Sequence, residues 1–396
     1  MANDYFTKTG NPASHSSGSS ALIRSEFAAV ETAFDKLPTL TGNALGLVRV
    51  NSGATAMETI SPAQARAAQD KSLGLRNKMI NGRFQIWQRA TSSSTVGYST
   101  ADRWRCESAG GTTFTASRQT FPVGQTAVPH NPKYYFTHVV NSGGLATSYY
   151  QFKQAIEGVG TFAGKTVTLS FSANASTAMN ISVRIAQVFG TGGAPSASVN
   201  SNVTTVALST GWQRFEVSLA VPSISGKTLG SDGNDYLTIY FMLDAGSNYN
   251  GVSNSLGNQS GTFRFADIQL EEGEFATPIE QRPIALELAL CQRYFVAHFG
   301  RLAGVSTSTS DASGRFSISF PTEMRTTPTV TVGAGSGNPT SLPFDGNVTI
   351  INGADYAATA IGITRHGIGT IVRTAGVAAS NIFLLGGYTA DAEFNN

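Results

Sequence analysis

Two carboxylates held about 5–10 Å apart suffice to hydrolyse a glycosidic bond, so the acidic residues of this chain are the first to weigh. Asp232 and Asp235 in "SDGNDY", Asp244, and Glu271, Glu272 and Glu274 in "QLEEGEF" are the candidates. Asp, Gly and Asn are also the residues of turns. "SDGND" therefore reads as a turn, and "EEGE" as a solvated loop after a strand. The histidines are His15, His130, His138, His298 and His366; no two stand at metal-ligand spacing, and there is no HExxH or CxxC. "VGAGSG" at 332–337 lacks the strand-to-helix setting that a phosphate cradle needs. No catalytic residue, no metal site and no cofactor is assigned.

Aromatic rings are the other currency for sugars. A flat ring covers the apolar face of a pyranose while nearby Asn, Asp or Arg side chains take its hydroxyls. The stretch from Met79 to Glu107, "MINGRFQIWQRATSSSTVGYSTADRWRCE", sets Phe84, Trp87, Tyr98 and Trp104 among Arg83, Arg89, Arg103 and Arg105. Trp104 leads into an alternating strand and Trp212 begins one, which makes both core residues. The stretch is expected to found a sheet, with its aromatics inward and its arginines on the polar face. Trp87 stays open between core and contact. Tyr249 and Asn250, in the loop "GSNYNGVSNSLGNQSG", are better placed for contact, because long loops on a rigid scaffold carry binding. The candidate receptor contacts are thus Tyr249, Asn250 and Trp87.

The elements that must hold these residues are mostly strands. Charged residues make up 13% of the 396, about half the usual share, and the formal net charge is +2. That balance gives no electrostatic case for nucleic acid. No apolar run is long enough to insert in a membrane. Met1 to Gly18 is polar and reads as an extended arm rather than a secretory signal. Cys106 and Cys291 read as two free thiols more readily than as a disulfide. A helix capped by Ser19 or Ser20 and ended by Pro38 carries Ile23, Phe27, Val30, Phe34 and Leu37 at heptad spacing. That seam packs on a neighbouring segment or on copies of itself. "VRVNSGATAMETI" then suggests a small hairpin, and "PAQARAAQDKS" an alanine-faced helix.

From Lys78 the period becomes two. Val167, Leu169 and Phe171 alternate with Thr166, Thr168 and Ser170, and Leu237, Ile239, Phe241 and Leu243 repeat the pattern. One-sided strands parted by Gly/Asn/Ser turns describe an antiparallel jelly-roll sandwich. "RPIALELALCQRYF" is a helix apolar on most sides, expected to be buried between bodies. The last hundred residues alternate again. The resulting layout is mainly β: an N-terminal helical attachment region over 1–77, a central jelly-roll sandwich over 78–282, a linker helix over 283–299 and a small C-terminal β-sandwich over 300–396.

Four segments carry a family resemblance: "NKMINGRFQIWQRATSS…GYSTADRWRCE", "GWQRFEVSLAVP", "FRFADIQLEEGEFATPIEQRPIALELALCQRYF" and "YTADAEF". Together they resemble the tail fibre and tail appendage proteins of tailed bacteriophages. The "DIQLEEGEFATPIEQRP" run resembles the last strand and exit of sandwiches related to carbohydrate-binding modules. The resemblance implies a homotrimeric, non-enzymatic virion protein, assembled in the host cytoplasm and carried on the tail. Its N-terminal region would dock on tail or adaptor proteins, with Ile23, Phe27, Val30, Phe34 and Leu37 as the trimer and attachment seam. Its distal sandwiches would bind a bacterial surface glycan or outer-membrane protein at adsorption. A tail connector without receptor contact is the alternative, and a polysaccharide depolymerase the next.

Overall fold

The computed structural model describes residues 75–298, 302–305, 315–332, 358–373, 382–385 and 388–394, the strand segments 47–50 and 57–60, and positions 28 and 30. Ile23, Phe27, Phe34 and Leu37 of the seam lie outside the described residues, as do the alanine-faced helix and most of "VGAGSG". Val30 is helical and 37% exposed. The chain divides into two compact units, 1–73 with 273–278, and 74–272 with 279–396. In the first, β1 (Leu47–Val50) pairs antiparallel with β2 (Met57–Ile60), the small hairpin expected from the sequence.

The second unit opens with twelve strands: β3 (Ser92–Ser93), β4 (Arg105–Ala109), β5 (Thr113–Thr120), β6 (Tyr134–Asn141), β7 (Tyr149–Glu157), β8 (Thr166–Ala175), β9 (Met179–Val188), β10 (Val199–Asn200), β11 (Thr204–Leu208), β12 (Gln213–Ala220), β13 (Tyr236–Ala245) and β14 (Gly261–Glu272). They form two antiparallel sheets. The first runs β12-β8-β14-β6-β5-β3; the second runs β10-β9-β13-β7-β4, with β11 also on β9. Such one-sided strands bury their apolar rows only by facing another sheet, and that produces the sandwich. Val167, Leu169, Phe171, Ile181, Val183, Ile185, Leu237, Ile239, Phe241 and Leu243 all enter one core. Phe152 stacks on Phe241 with ring centroids 4.7 Å apart, and Phe265 closes on Phe152 at 4.8 Å.

Not every strand is one-sided. Thr168, Ser170 and Ser172, on the outer side of β8, are as buried as the core row. Short polar side chains on a central strand sink between longer neighbours, and the Arg214 guanidinium lies across them to donate to Ser170 Oγ at 3.0 Å.

The Met79–Glu107 stretch does found the sandwich, but its arginines depart from expectation. Trp104 is fully buried and donates through Nε1 to the Asn81 carbonyl at 3.1 Å. Asn81, in the left-handed region at φ 57°, accepts from Ile86 N at 2.9 Å and donates to the carbonyls of Ile86 at 2.8 Å and Asp102 at 3.1 Å. Gly82 is required beside it: a Cβ there would stand 2.1 Å from the Ile268 carbonyl oxygen. Arg103 is not on the polar face. It is fully buried, paired with Glu393, under the Tyr294 ring at 3.3 Å, and donates to the Ala155 carbonyl at 2.6 Å. Arg83 meets Asp267 at 3.1 Å and Arg89 meets Asp391 at 3.1 Å. A carboxylate supplied from far along the chain lets each of these cations leave water.

After β14 comes a helix, Ile284–Gln292, that buries only Glu287 and Cys291. Ile284 and Leu286 are exposed, so the expected all-round burial does not hold. The helix is anchored by a charge instead, with Glu287 accepting from Asn81 N and from Arg282 Nη1 at 3.3 Å. Cys106 and Cys291 are free, buried thiols.

Eight further strands follow: β15 (Phe295–His298), β16 (Leu302–Val305), β17 (Arg315–Ser319), β18 (Thr329–Val332), β19 (Ala358–Thr364), β20 (Gly367–Arg373), β21 (Ile382–Leu385) and β22 (Tyr388–Asp391). They make three small antiparallel sheets, β15-β22-β18, β16-β21 and β17-β20-β19. Val296, Phe320, Met324, Ile368, Tyr388 and Ala390 share a second small core. The protein is mainly β with antiparallel sheets and little helix. No helix among the described residues is long and apolar enough to cross a membrane.

Candidate functional site

The alternation that drives Leu237, Ile239 and Phe241 inward must turn Thr238, Tyr240 and Met242 outward. Register then aligns the outward residues of neighbouring strands. Tyr240 on β13 lies opposite Arg184 on β9 and Lys153 on β7, and Lys153 lies opposite Arg105 on β4. One row thus crosses four strands as Arg184, Tyr240, Lys153, Arg105. The next row places Ser182, Met242, Gln151 and Glu107 side by side.

The contacts follow from that register. The Arg184 guanidinium sits 3.8 Å from the centre of the Tyr240 ring, and Lys153 Nζ lies 5.2 Å from it on the other side. Glu107 accepts from Lys153 Nζ at 2.8 Å and Gln151 Nε2 at 2.8 Å, and pairs with Arg105 Nε at 2.9 Å. Arg184 Nη1 donates to the neutral Asn200 Oδ1 at 2.8 Å. Gln151 is 7% exposed, and its Oε1 accepts no hydrogen bond among the described residues. Desolvation holds Arg184 below the usual arginine range, partly offset by Tyr240, and raises the Tyr240 phenol. The face therefore sets a half-buried, protonated phenol between cations, with the buried Gln151 Oε1 unpartnered in the next row.

Its ends are marked by aromatics. At one, Tyr236 packs on Phe394 with centroids 4.8 Å apart, so the C-terminal segment covers the outer side of β13 there. At the other, Tyr149 on β7 meets Tyr249 at 4.8 Å. Desolvation raises the Tyr149 phenol first, and Glu107 and Tyr249 add to it. Tyr249 is thus brought to the rim of the Tyr240 face. Asn250 follows it, exposed, at the start of the short helix Asn250–Ser253.

Trp87 is not on this face. Its ring meets Phe136 edge-on at 5.3 Å, its Nε1 donates to the Phe84 carbonyl at 2.5 Å, and it packs on the main core. Trp212 is half-buried against Phe121 at 5.1 Å and Tyr135 at 5.4 Å, in a satellite cluster rather than the main core. The acidic candidates hold loops and strands together. Asp232 accepts from Thr191 Oγ1 at 2.7 Å, Asp235 from Val159 N at 2.7 Å, and buried Asp244 from Thr112 Oγ1 at 2.8 Å and Gln259 N at 2.9 Å. Glu271 pairs with Arg76 at 3.5 Å and Glu272 with Lys165 at 2.7 Å, while Glu274 is exposed.

Tyr240, Arg184, Lys153 and Gln151 were not singled out from the sequence. The signal was present as the complement of an apolar row, since each occupies an alternate position where a solvent-facing residue is ordinarily Ser or Thr.

No protein-family model matches the chain. No curated protein matches it either. Solved structures similar to it include one described as "CBM4 structure and function", 21% identical over 48% of this chain and 97% of its own, with a TM-score of 0.29. A family 11 carbohydrate-binding module from Clostridium thermocellum, in complex with a β-1,3-1,4-mixed-linked tetrasaccharide, is 16% identical over 47% of this chain and 98% of its own, TM-score 0.28. The enzymatically active domain of bacteriophage CBA120 tailspike protein 4 is 14% identical over 50% of this chain and 21% of its own, TM-score 0.28. These likenesses are too distant to assign a ligand or a reaction. The class that the fold itself defines is a mainly-β protein built on a two-sheet antiparallel sandwich.

Proposed function

We propose that this protein is a non-enzymatic tail fibre or short tail appendage of a tailed bacteriophage that binds a host-surface glycan through the Tyr240 face of its sandwich. The observation that carries the binding part is the row Arg184, Tyr240, Lys153, Arg105, laid across four strands. A ring flanked by hydrogen-bonding side chains on a rigid sheet meets the apolar and polar sides of a sugar together. The carboxylate on this face, Glu107, is held by two cations and an amide, which suits it to positioning rather than to proton transfer. The tail location rests on the sequence resemblance, with copies joined at the N-terminal seam. Linked copies of a weak site gain avidity without new contacts.

The full chain is expected to label host cells and to compete with phage adsorption. Tyr240→Ala should weaken binding by about tenfold or more, since a central aromatic anchor carries a large share of an interface. An unchanged Tyr240→Ala variant would move the site elsewhere. A protein that neither labels cells nor blocks infection would be a tail connector, and one that shortens host polysaccharide would be a depolymerase. Light scattering tests the fibre part, because a species of 41.5 kDa is a monomer.

A further inference from the structure

We propose that the glycan recognised by the Tyr240 face is acidic, bearing a carboxylate or phosphate group, and that Arg184 reads the anion. The inference deepens the glycan-binding reading and rests on it. Charge matching is the reason. Arg83, Arg89, Arg103, Arg105, Arg282 and Arg293 each meet a carboxylate at salt-bridge distance. Arg184 is only 9% exposed, yet its near partners are the neutral Asn200 amide and the Tyr240 ring. Glu107 is the carboxylate that acts on Arg184 through space, and it is already shared by Arg105 and Lys153.

The face thus holds three cations against one carboxylate, while the whole chain carries a formal charge of +2. The excess is local. A guanidinium lifted out of water without a counter-charge is costly, and desolvation already lowers the Arg184 pKa. A neutral glycan seated on the row would strip the remaining water from Arg184 and supply nothing in return. An anion on the sugar would take the planar fork. The side chains around the position support this charge preference. Lys153 flanks Tyr240 on the opposite side, and the neighbouring outward residues of β9, β13 and β7 are Ser182, Met242 and Gln151, none of them acidic.

The test is the full-length protein on an array of bacterial glycans that carry no acid, uronic acids, or sugar phosphates. Retention should be confined to the acidic glycans. Reducing the carboxyls of a bound uronic polymer to alcohols, or removing phosphate from a bound phosphosugar, should weaken binding by about tenfold or more, the usual effect of losing a charge-assisted contact. The arm that responds identifies the anion. Arg184→Gln should cause a similar loss, and the two changes together should cost no more than either alone, because both remove one contact. The ligand modification needs no variant, so a poorly folding Arg184→Gln leaves it decisive. Equal retention of neutral and acidic glycans overturns the inference and leaves the glycan reading standing. Retention of no glycan overturns both.

Discussion

Replacing Arg103 with methionine should cost the second unit about 3–5 kcal/mol of stability, the range for breaking a buried ion pair by removing one partner. Both side chains of the Arg103–Glu393 pair are inaccessible to solvent. Burial opposes the Arg103 charge most strongly, but Glu393 and the neighbouring Tyr294, Tyr98 and Cys291 together outweigh it, so the guanidinium stays ionised. Glu393 stands differently: burial raises its pKa, against the pull of Arg103 and Arg89. Take Arg103 away, and a carboxyl whose pKa burial already raises is left with Arg89 Nη2 at 3.6 Å. Tyr294 also loses the cation beneath its ring, and the Ala155 carbonyl loses a donor. The double variant Arg103→Met, Glu393→Leu should recover most of the loss, because the cost of a lone buried charge disappears with the charge. Urea midpoints of the parent, the two single variants and the double variant measure this directly. A single-variant loss under about 1 kcal/mol, the scale of an exposed pair, would show that water reaches the site.

This pair also shows where sequence reading stopped. Patterns of period two are local, so the inward rows of β8, β9 and β13 were legible strand by strand. The sandwich followed because such rows need a facing sheet. Arg103 was assigned to the polar face along with the other arginines of the Met79–Glu107 stretch. Its partner, Glu393, arrives 290 positions later, and no local period encodes that. The proposed binding face was half legible. Tyr240 had to point away from Phe241, but its alignment with Arg184 and Lys153 depends on register in two separate strand pairs, each closed through long-range contacts. Tyr249 was singled out because its loop is long, and Trp87 was left open between core and contact. In the structure its ring packs edge-on against Phe136, supplied by another strand. The helix after β14 misled for a related reason: apolar side chains on most sides imply burial, but a buried glutamate anchors it and leaves Ile284 and Leu286 outside.

Acid should destabilise the sandwich through His138 well above the pH at which most carboxylates protonate. The imidazole is fully buried, stacked on Phe152 at 4.4 Å and close to Phe136 at 4.1 Å. Its Nδ1 is 2.7 Å from the Tyr150 hydroxyl, and its Nε2 has no partner among the described residues. Desolvation lowers its pKa from 6.5 to about 3. A histidine buried neutral contributes its full stability above the unfolded pKa and loses it as pH falls from there toward the folded pKa. The slope is about 1.4 kcal/mol per pH unit, so roughly 3 kcal/mol should be gone by pH 4.5. Buried Asp102, Asp267 and Glu393 act in the opposite sense: burial raises their pKa values, so the folded state takes up their protons first and gains on acidification. Comparison with His138→Gln, whose amide still reaches Tyr150 but does not titrate, cancels those terms. Urea midpoints at pH 7.5 and 4.5 should therefore fall further in the parent than in the variant, by an amount worth roughly 3 kcal/mol. Parallel curves for the two proteins, or an imidazole NMR resonance that titrates near pH 6.5, would mean that the ring is solvated in the folded state.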